Sequence, residues 1–213
     1  MKKYELVTEL SEEFLCKKLF RIRALVSFEG VEAGDLGGWV EKEKNLDQAG
    51  DAWVSGDARV YGNARVSGNA RVSGNALVSG YTRVSGDAQV SGNALVSGYA
   101  RVSGDARVSG NVWVYGDAWV SGDARVYGNA RVSGDAQVYG DAQVSGNVWV
   151  YGDAQVSGNV WVSGDARLSG DAQVSGDAQV SGNVWVYGGT QLSDMVKEVA
   201  ADFAAKLRKG VQS

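Results

Sequence analysis

Histidine and proline are both absent from the 213 residues, and cysteine occurs once, at Cys16. Without histidine the chain lacks the side chain that most often serves as a general base or metal ligand near neutral pH. A lone cysteine excludes an internal disulfide. Lys17 and Lys18 follow it, yet its expected role is structural rather than reactive. No apolar run is long enough to span a bilayer, and the first 20 residues carry Glu5, Glu9, Glu12 and Glu13 where a secretory leader has a basic and then an apolar stretch. These absences predict a cytoplasmic protein without a membrane partner. A broad basic field is missing too: the formal charge is −4, and all nine lysines lie outside residues 51–188. Nucleic acid is therefore not an expected partner, and no cofactor is expected.

What the chain has instead is glycine, 30 residues of it, mostly at one spacing. From Asp51 to Gly188 the sequence repeats [D/N/Y]-[A/V/T]-x-[V/L]-[S/Y]-G for 138 residues, or 23 hexads, without an insertion. An unbroken short period means one structural unit stacked on copies of itself. In Asn63-Ala64-Arg65-Val66-Ser67-Gly68, a strand sends Ala64 and Val66 to one side and Arg65 to the other. Gly68 and the next Asx residue supply the corner, where positive φ is needed. A helix fails, because residues six apart do not share a helical face and a glycine in each hexad costs roughly 1 kcal/mol relative to alanine. A hairpin meander needs strands of about 5–6 residues. Disorder conflicts with the uninterrupted Ala/Val register. The expected fold is all-β, a three-sided parallel β-solenoid. At eighteen residues per coil the hexads make nearly eight coils, a prism roughly 37 Å long with a thin Ala/Val core.

Val66-Ser67-Gly68-Asn69-Ala70-Arg71 resembles the repeat of the bacterial transferase hexapeptide family, with Gly one place later than that family's commonest form. The likeness covers about two thirds of the chain and implies a left-handed β-helix. A right-handed coil resembling that of bactofilins stays open, since periodicity carries no handedness. Acyltransferases of the hexapeptide family use a histidine base, and the related carbonic anhydrases bind metal through histidines. Neither constellation maps onto this chain, so no catalytic or metal residue is assigned. The segments Arg21–Leu25, Ala33–Glu41 and Asn45–Val54 also resemble the start of hexapeptide-repeat proteins of temperate bacteriophages and their prophages. That likeness places the protein in a bacterial host.

The flanks break the period. Residues 1–44 read as an N-terminal β-rich cap, with strands over Tyr4–Val7 and Leu19–Leu25. Asp35–Val40 reads as a turn entering the first coil, Leu46 and Gln48 as a degenerate first hexad, and Trp39 as a cover for the open end of the prism. The repeat region is expected over 45–190. An amphipathic C-terminal α-helix is expected over 191–210, with Leu192, Val196, Val199, Phe203 and Leu207 on one stripe. It either covers the last coil or oligomerises.

Threading three hexads per turn sorts the outward residues onto three faces. The first carries Trp53, Arg71, Gln89, Arg107, Arg125, Gln143, Trp161 and Gln179. The second carries Arg59, Leu77, Leu95, Trp113, Arg131, Trp149, Arg167 and Trp185, and the third Arg65, Arg83, Arg101, Trp119, Gln137, Gln155 and Gln173. On the second face Trp and Arg alternate at steps of about 4.8 Å, which suits guanidinium–indole stacking. Val112, Val148 and Val184 replace the inward Ala beside three of those tryptophans. Leu77, Tyr81, Leu95, Tyr99, Trp113, Arg131, Trp149, Arg167 and Trp185 are the candidate protein-binding set, because Trp, Tyr and Arg anchor interfaces. The alternative is a surface that stabilises only itself. Arg65, Arg83 and Arg101 are the candidate anion-binding set. Asp87, Asp105, Asp123 and Asp141 line one edge and Asp117, Asp135, Asp153 and Asp171 another. Asp alternates with Asn at this position, so a corner role is expected rather than a calcium site.

The functional expectation is a noncatalytic phage or prophage protein serving as a rigid oligomeric scaffold, a trimer by analogy, that binds a host or phage protein. The alternatives are capture of a small anionic ligand at subunit clefts and a divergent hexapeptide-repeat enzyme.

Overall fold

The computed structural model describes residues 2–193. It is all-β: three parallel sheets wind into one solenoid. Each hexad contributes a two-residue strand, from β4 (Trp53–Val54) onward, and each strand pairs with the one eighteen residues away, as Arg65 does with Arg83 and Arg83 with Arg101. The expected membership of all three faces holds, and Gln191–Leu192 adds one more strand to the third. The remainder of the helix expected over 191–210 lies outside the described residues.

The coil closes because inward and outward residues alternate while glycine turns the corner. Ala64, Val66, Ala124 and Val126 are fully buried, as are nearly all their counterparts. Thr82 takes an inward Ala position and stays buried by donating its hydroxyl to the Ser79 carbonyl at 2.6 Å. At the corners glycine is required twice over. Gly80 has φ 71°, and a Cβ there would sit 2.7 Å from the Gly98 carbonyl oxygen of the next coil. Backbone bonds such as Arg83 N–H to Ala100 O at 3.0 Å join the coils.

The first coil is irregular. Strands β1 (Tyr4–Phe14) and β2 (Lys17–Ala24) form an antiparallel hairpin with a register shift between Val7 and Ser11. Strand β3 (Leu36–Val40) pairs antiparallel with β2 and parallel with Arg59–Val60. The turn expected over Asp35–Val40 is thus a strand. Val40 stacks on Val60 and Leu46 on Val66, so both are separated by twenty residues rather than eighteen. Leu46 fills an inward position as expected, but Gln48 does not. Its Oε1 accepts from Lys3 N at 2.8 Å and its Nε2 donates to Tyr4 O at 3.1 Å, in the manner of a strand partner.

Trp39 does not cover the prism end. It lies on the outer side in register with Arg59, with the Arg21 guanidinium 4.5 Å from its ring. The end is closed by polar groups that meet the coil's unpaired carbonyls. Lys3 Nζ donates to Ala52 O at 2.8 Å and Gly50 O at 3.0 Å. The Tyr4 hydroxyl donates to Leu46 O at 2.7 Å, and Asn45 Nδ2 to Ala64 O at 2.8 Å. Burial lowers the Lys3 pKa and raises that of Tyr4. Cys16 is exposed at the tip of the hairpin turn rather than packed: it and Leu15 both have positive φ, 60° and 48°, the geometry a tight two-residue hairpin demands.

Candidate assembly surfaces

Because every outward residue sits over its counterpart one coil away, side chains form ladders along the rod. On the second face the Arg131 guanidinium lies 4.7 Å from the Trp113 ring and 4.8 Å from that of Trp149. Arg167 lies 5.0 Å from both Trp149 and Trp185. The result is one continuous Trp–Arg–Trp–Arg–Trp stack, in which each arginine is sandwiched between indoles. Its rings remain open to solvent, with Trp113 42%, Trp149 36% and Trp185 47% exposed. Tyr115, Tyr151 and Tyr187 are exposed on the residues that follow.

The stack continues toward the N-terminus through Leu95 and Leu77, which pair in register with Trp113 and with each other. Arg59, the next member, is held by the hairpin: Glu12 accepts from its Nε at 2.6 Å and the Phe14 ring lies 4.9 Å from its guanidinium. Tyr81 and Tyr99 stand at the corner beside this face, their rings parallel within 7° and 5.0 Å apart. They are the only stacked aromatic pair among the described residues.

Tyr81 and Tyr99 also wall a groove of about 720 Å³ on the third face. Arg65, Arg83 and Arg101 line it, together with Lys42, Lys44 and Trp119. The structure therefore brings the three predicted arginines together and adds two lysines that sequence reasoning missed. The lysines come from the irregular first coil, where the 3₁₀ turn Glu43–Asn45 lies under Arg65, and no periodicity announces them.

The three edges of the prism differ chemically. One is a ladder of amides: Asn75 Nδ2 donates to Asn93 at 3.2 Å, and the chain of bonds runs on through Asn111, Asn129 and Asn147 to Asp165. Another carries Tyr81 and Tyr99 and then Asp117, Asp135, Asp153 and Asp171. The third carries Asp87, Asp105, Asp123 and Asp141, which line a shallow depression with Gln89, Arg107 and Arg125. Desolvation together with the neighbouring Asp123 and Asp87 carboxylates pushes the Asp105 pKa up. Among the described residues no three His, Cys, Asp or Glu side chains are grouped to hold a metal ion. No described helix is long and apolar enough to cross a membrane.

Residues 76–171 match the family model described as Bactofilin, polymer-forming cytoskeletal. Residues 52–68, 58–73, 172–188 and 178–194 match the model of the YdcK β-solenoid repeat. No curated protein matches the chain. The Bactofilin match covers less than half of the chain, and it is a similarity to that family.

These matches correct the expected kinship with hexapeptide-repeat transferases and with phage or prophage proteins. The physical reason is that a small inward residue, an aliphatic one and a glycine corner at six-residue spacing are what any three-sided coil requires. The left-handed winding and the trimer rest on the same likeness alone. The phage scaffold, the captured small anion and the divergent enzyme give way to a protein similar to a cytoskeletal, oligomer-forming family. A structural, non-enzymatic protein fits that description.

Proposed function

We propose that this chain is a noncatalytic structural protein that polymerises with copies of itself, and that the aromatic second face is a contact between copies. The observation that carries the reading is the similarity of residues 76–171 to a family described as polymer-forming and cytoskeletal. That span contains Leu77, Tyr81, Leu95, Tyr99, Trp113, Arg131, Trp149 and Arg167. The geometry supports it. A stripe of half-exposed indoles is apolar area that association buries. Guanidinium groups clamped between rings are already ordered, so less side-chain entropy is lost when a partner arrives. In this reading residues 1–44 close one end of the rod and residues 45–190 form its shaft.

Sedimentation velocity and negative-stain electron microscopy test the proposal. The wild-type chain is expected to form species whose mass grows with concentration, without nucleotide or metal. A single closed trimer, or a monomer at every concentration, overturns polymerisation. Trp113→Gln/Trp149→Gln/Trp185→Gln keeps the strand signal in circular dichroism, because Gln143, Gln155 and Gln173 already occupy equivalent outward positions. The variant is expected to lose most of the large species. Unchanged mass would leave the Trp–Arg stack as intramolecular packing only.

A further inference from the structure

The basic groove and the acidic edge are two ladders of opposite sign built on one pitch. Arg65, Arg83 and Arg101 sit on strands paired in register. Asp87, Asp105 and Asp123 directly precede the strands that begin at Gln89, Arg107 and Arg125, which are paired the same way. Both ladders therefore advance by about 4.8 Å per rung. Lys42 and Lys44, lining the groove beside Arg65, extend the cationic ladder by one coil, giving four cationic levels against four aspartates.

Neither ladder is tied up in ion pairs among the described residues, although Arg107 and Arg125 line the depression of the acidic edge and Asp117 lines the groove. The ion pairs of the described residues join Lys2 to Glu43, Lys17 to Glu41, Arg21 to Asp57, Arg23 to Glu5, Arg59 to Glu12 and Arg71 to Glu29. Arg65, Arg83 and Arg101 are outside that set, and so are Asp87, Asp105, Asp123 and Asp141. Stacked like charges repel one another, and an opposite ladder would relieve that repulsion.

We propose that the acidic edge of one copy seats in the basic groove of a second copy of this chain, so that rods lie side by side with aspartate and arginine rungs interleaved. The inference rests on the polymer reading and adds the surface that places neighbouring rods. Its physical basis is the shared pitch. In two copies the spacing of both ladders is set by the same coil, so docking one rung brings the next into reach. An outside polyanion has no such built-in match of spacing. A single exposed ion pair contributes little, but four in register act as a network. Edge and groove occupy different parts of the perimeter, so the contact is heterologous and leaves each rod with a free edge and a free groove. Such contacts propagate into open arrays.

Charge exchange in the full chain tests this. Arg65→Glu/Arg83→Glu/Arg101→Glu and Asp87→Lys/Asp105→Lys/Asp123→Lys/Asp141→Lys are made separately, and circular dichroism selects folded protein. Arg→Gln and Asp→Asn sets serve if a charge-reversed chain does not fold. Microscopy and light scattering are expected to show side-by-side arrays for the wild type that separate at about 1 M salt, where the screening length falls to about 3 Å. Each variant alone is expected to give single rods or filaments. The equimolar mixture of the two reversed variants is expected to regain lateral association. Arrays that persist in each charge variant, or a mixture of folded variants that stays apart, overturn the proposal while leaving polymerisation intact. A wild type that is monomeric throughout overturns both. Wild-type rods that stay apart but retain short single-stranded DNA reassign the groove to a polyanion.

Discussion

At the scale of a residue, Asp105 shows how one position trades stability for surface chemistry. Its pKa is raised by desolvation and by Asp123 and Asp87. A carboxyl whose folded pKa lies above its unfolded value is disfavoured in its charged form by the fold. The penalty is absent below the carboxylate range and grows as pH rises through the folded pKa. Asp105→Asn is therefore expected to raise Tm slightly at neutral pH and to remove this group's share of the pH dependence, both read by thermal melts across pH. The variant should also associate laterally less well, which is the cost. Such a role was half legible. The hexad spacing stacks Asp87, Asp105, Asp123 and Asp141 on one edge from sequence alone, but that Arg107 and Arg125 share their depression without forming ion pairs to them is a three-dimensional fact.

At the scale of the element, each two-residue strand survives only because its neighbours hold it. Val126 is fully buried between coils, so Val126→Asp is expected to cost more than about 4 kcal/mol by burying an unpaired charge, measured by denaturant unfolding. Gly92→Ala is expected to cost at least about 1–2 kcal/mol for the left-handed backbone alone, since Gly92 has φ 71° and the added Cβ meets Gly110 N at 2.8 Å. Period and alternation sufficed for these elements. They did not suffice for β3, whose Gly37 and Gly38 look like a turn. Their reason is space: a Cβ on Gly38 would lie 2.7 Å from the Ala58 carbonyl and from Val54 Cγ1. A signal was nonetheless present. Trp39-Val40 is the same outward–inward dipeptide as Trp53-Val54 and Trp113-Val114, and reading it so puts Trp39 on the outer face.

At the scale of the whole molecule, the rod offers ladders rather than a pocket, and its function is read from what stacks along its faces. The Trp–Arg stack and its five members were legible from eighteen-residue threading. The grouping of Tyr81 and Tyr99 with the basic groove, and the part played there by Lys42 and Lys44, required the closed shape. The irregular first coil has a further consequence, for the order in which the chain winds. Among the described residues, only there do an antiparallel hairpin and side-chain bonds from Lys3, Tyr4, Asn45 and Gln48 supply a scaffold that needs no preceding coil. Each later described coil is held by its neighbours in the stack. Winding is therefore expected to start at the hairpin end and propagate along the rod. Amide hydrogen exchange should be slowest around Val40 and Val60 and quicken along the rod. A break at Val126 should release the coils beyond it while those before it stay protected.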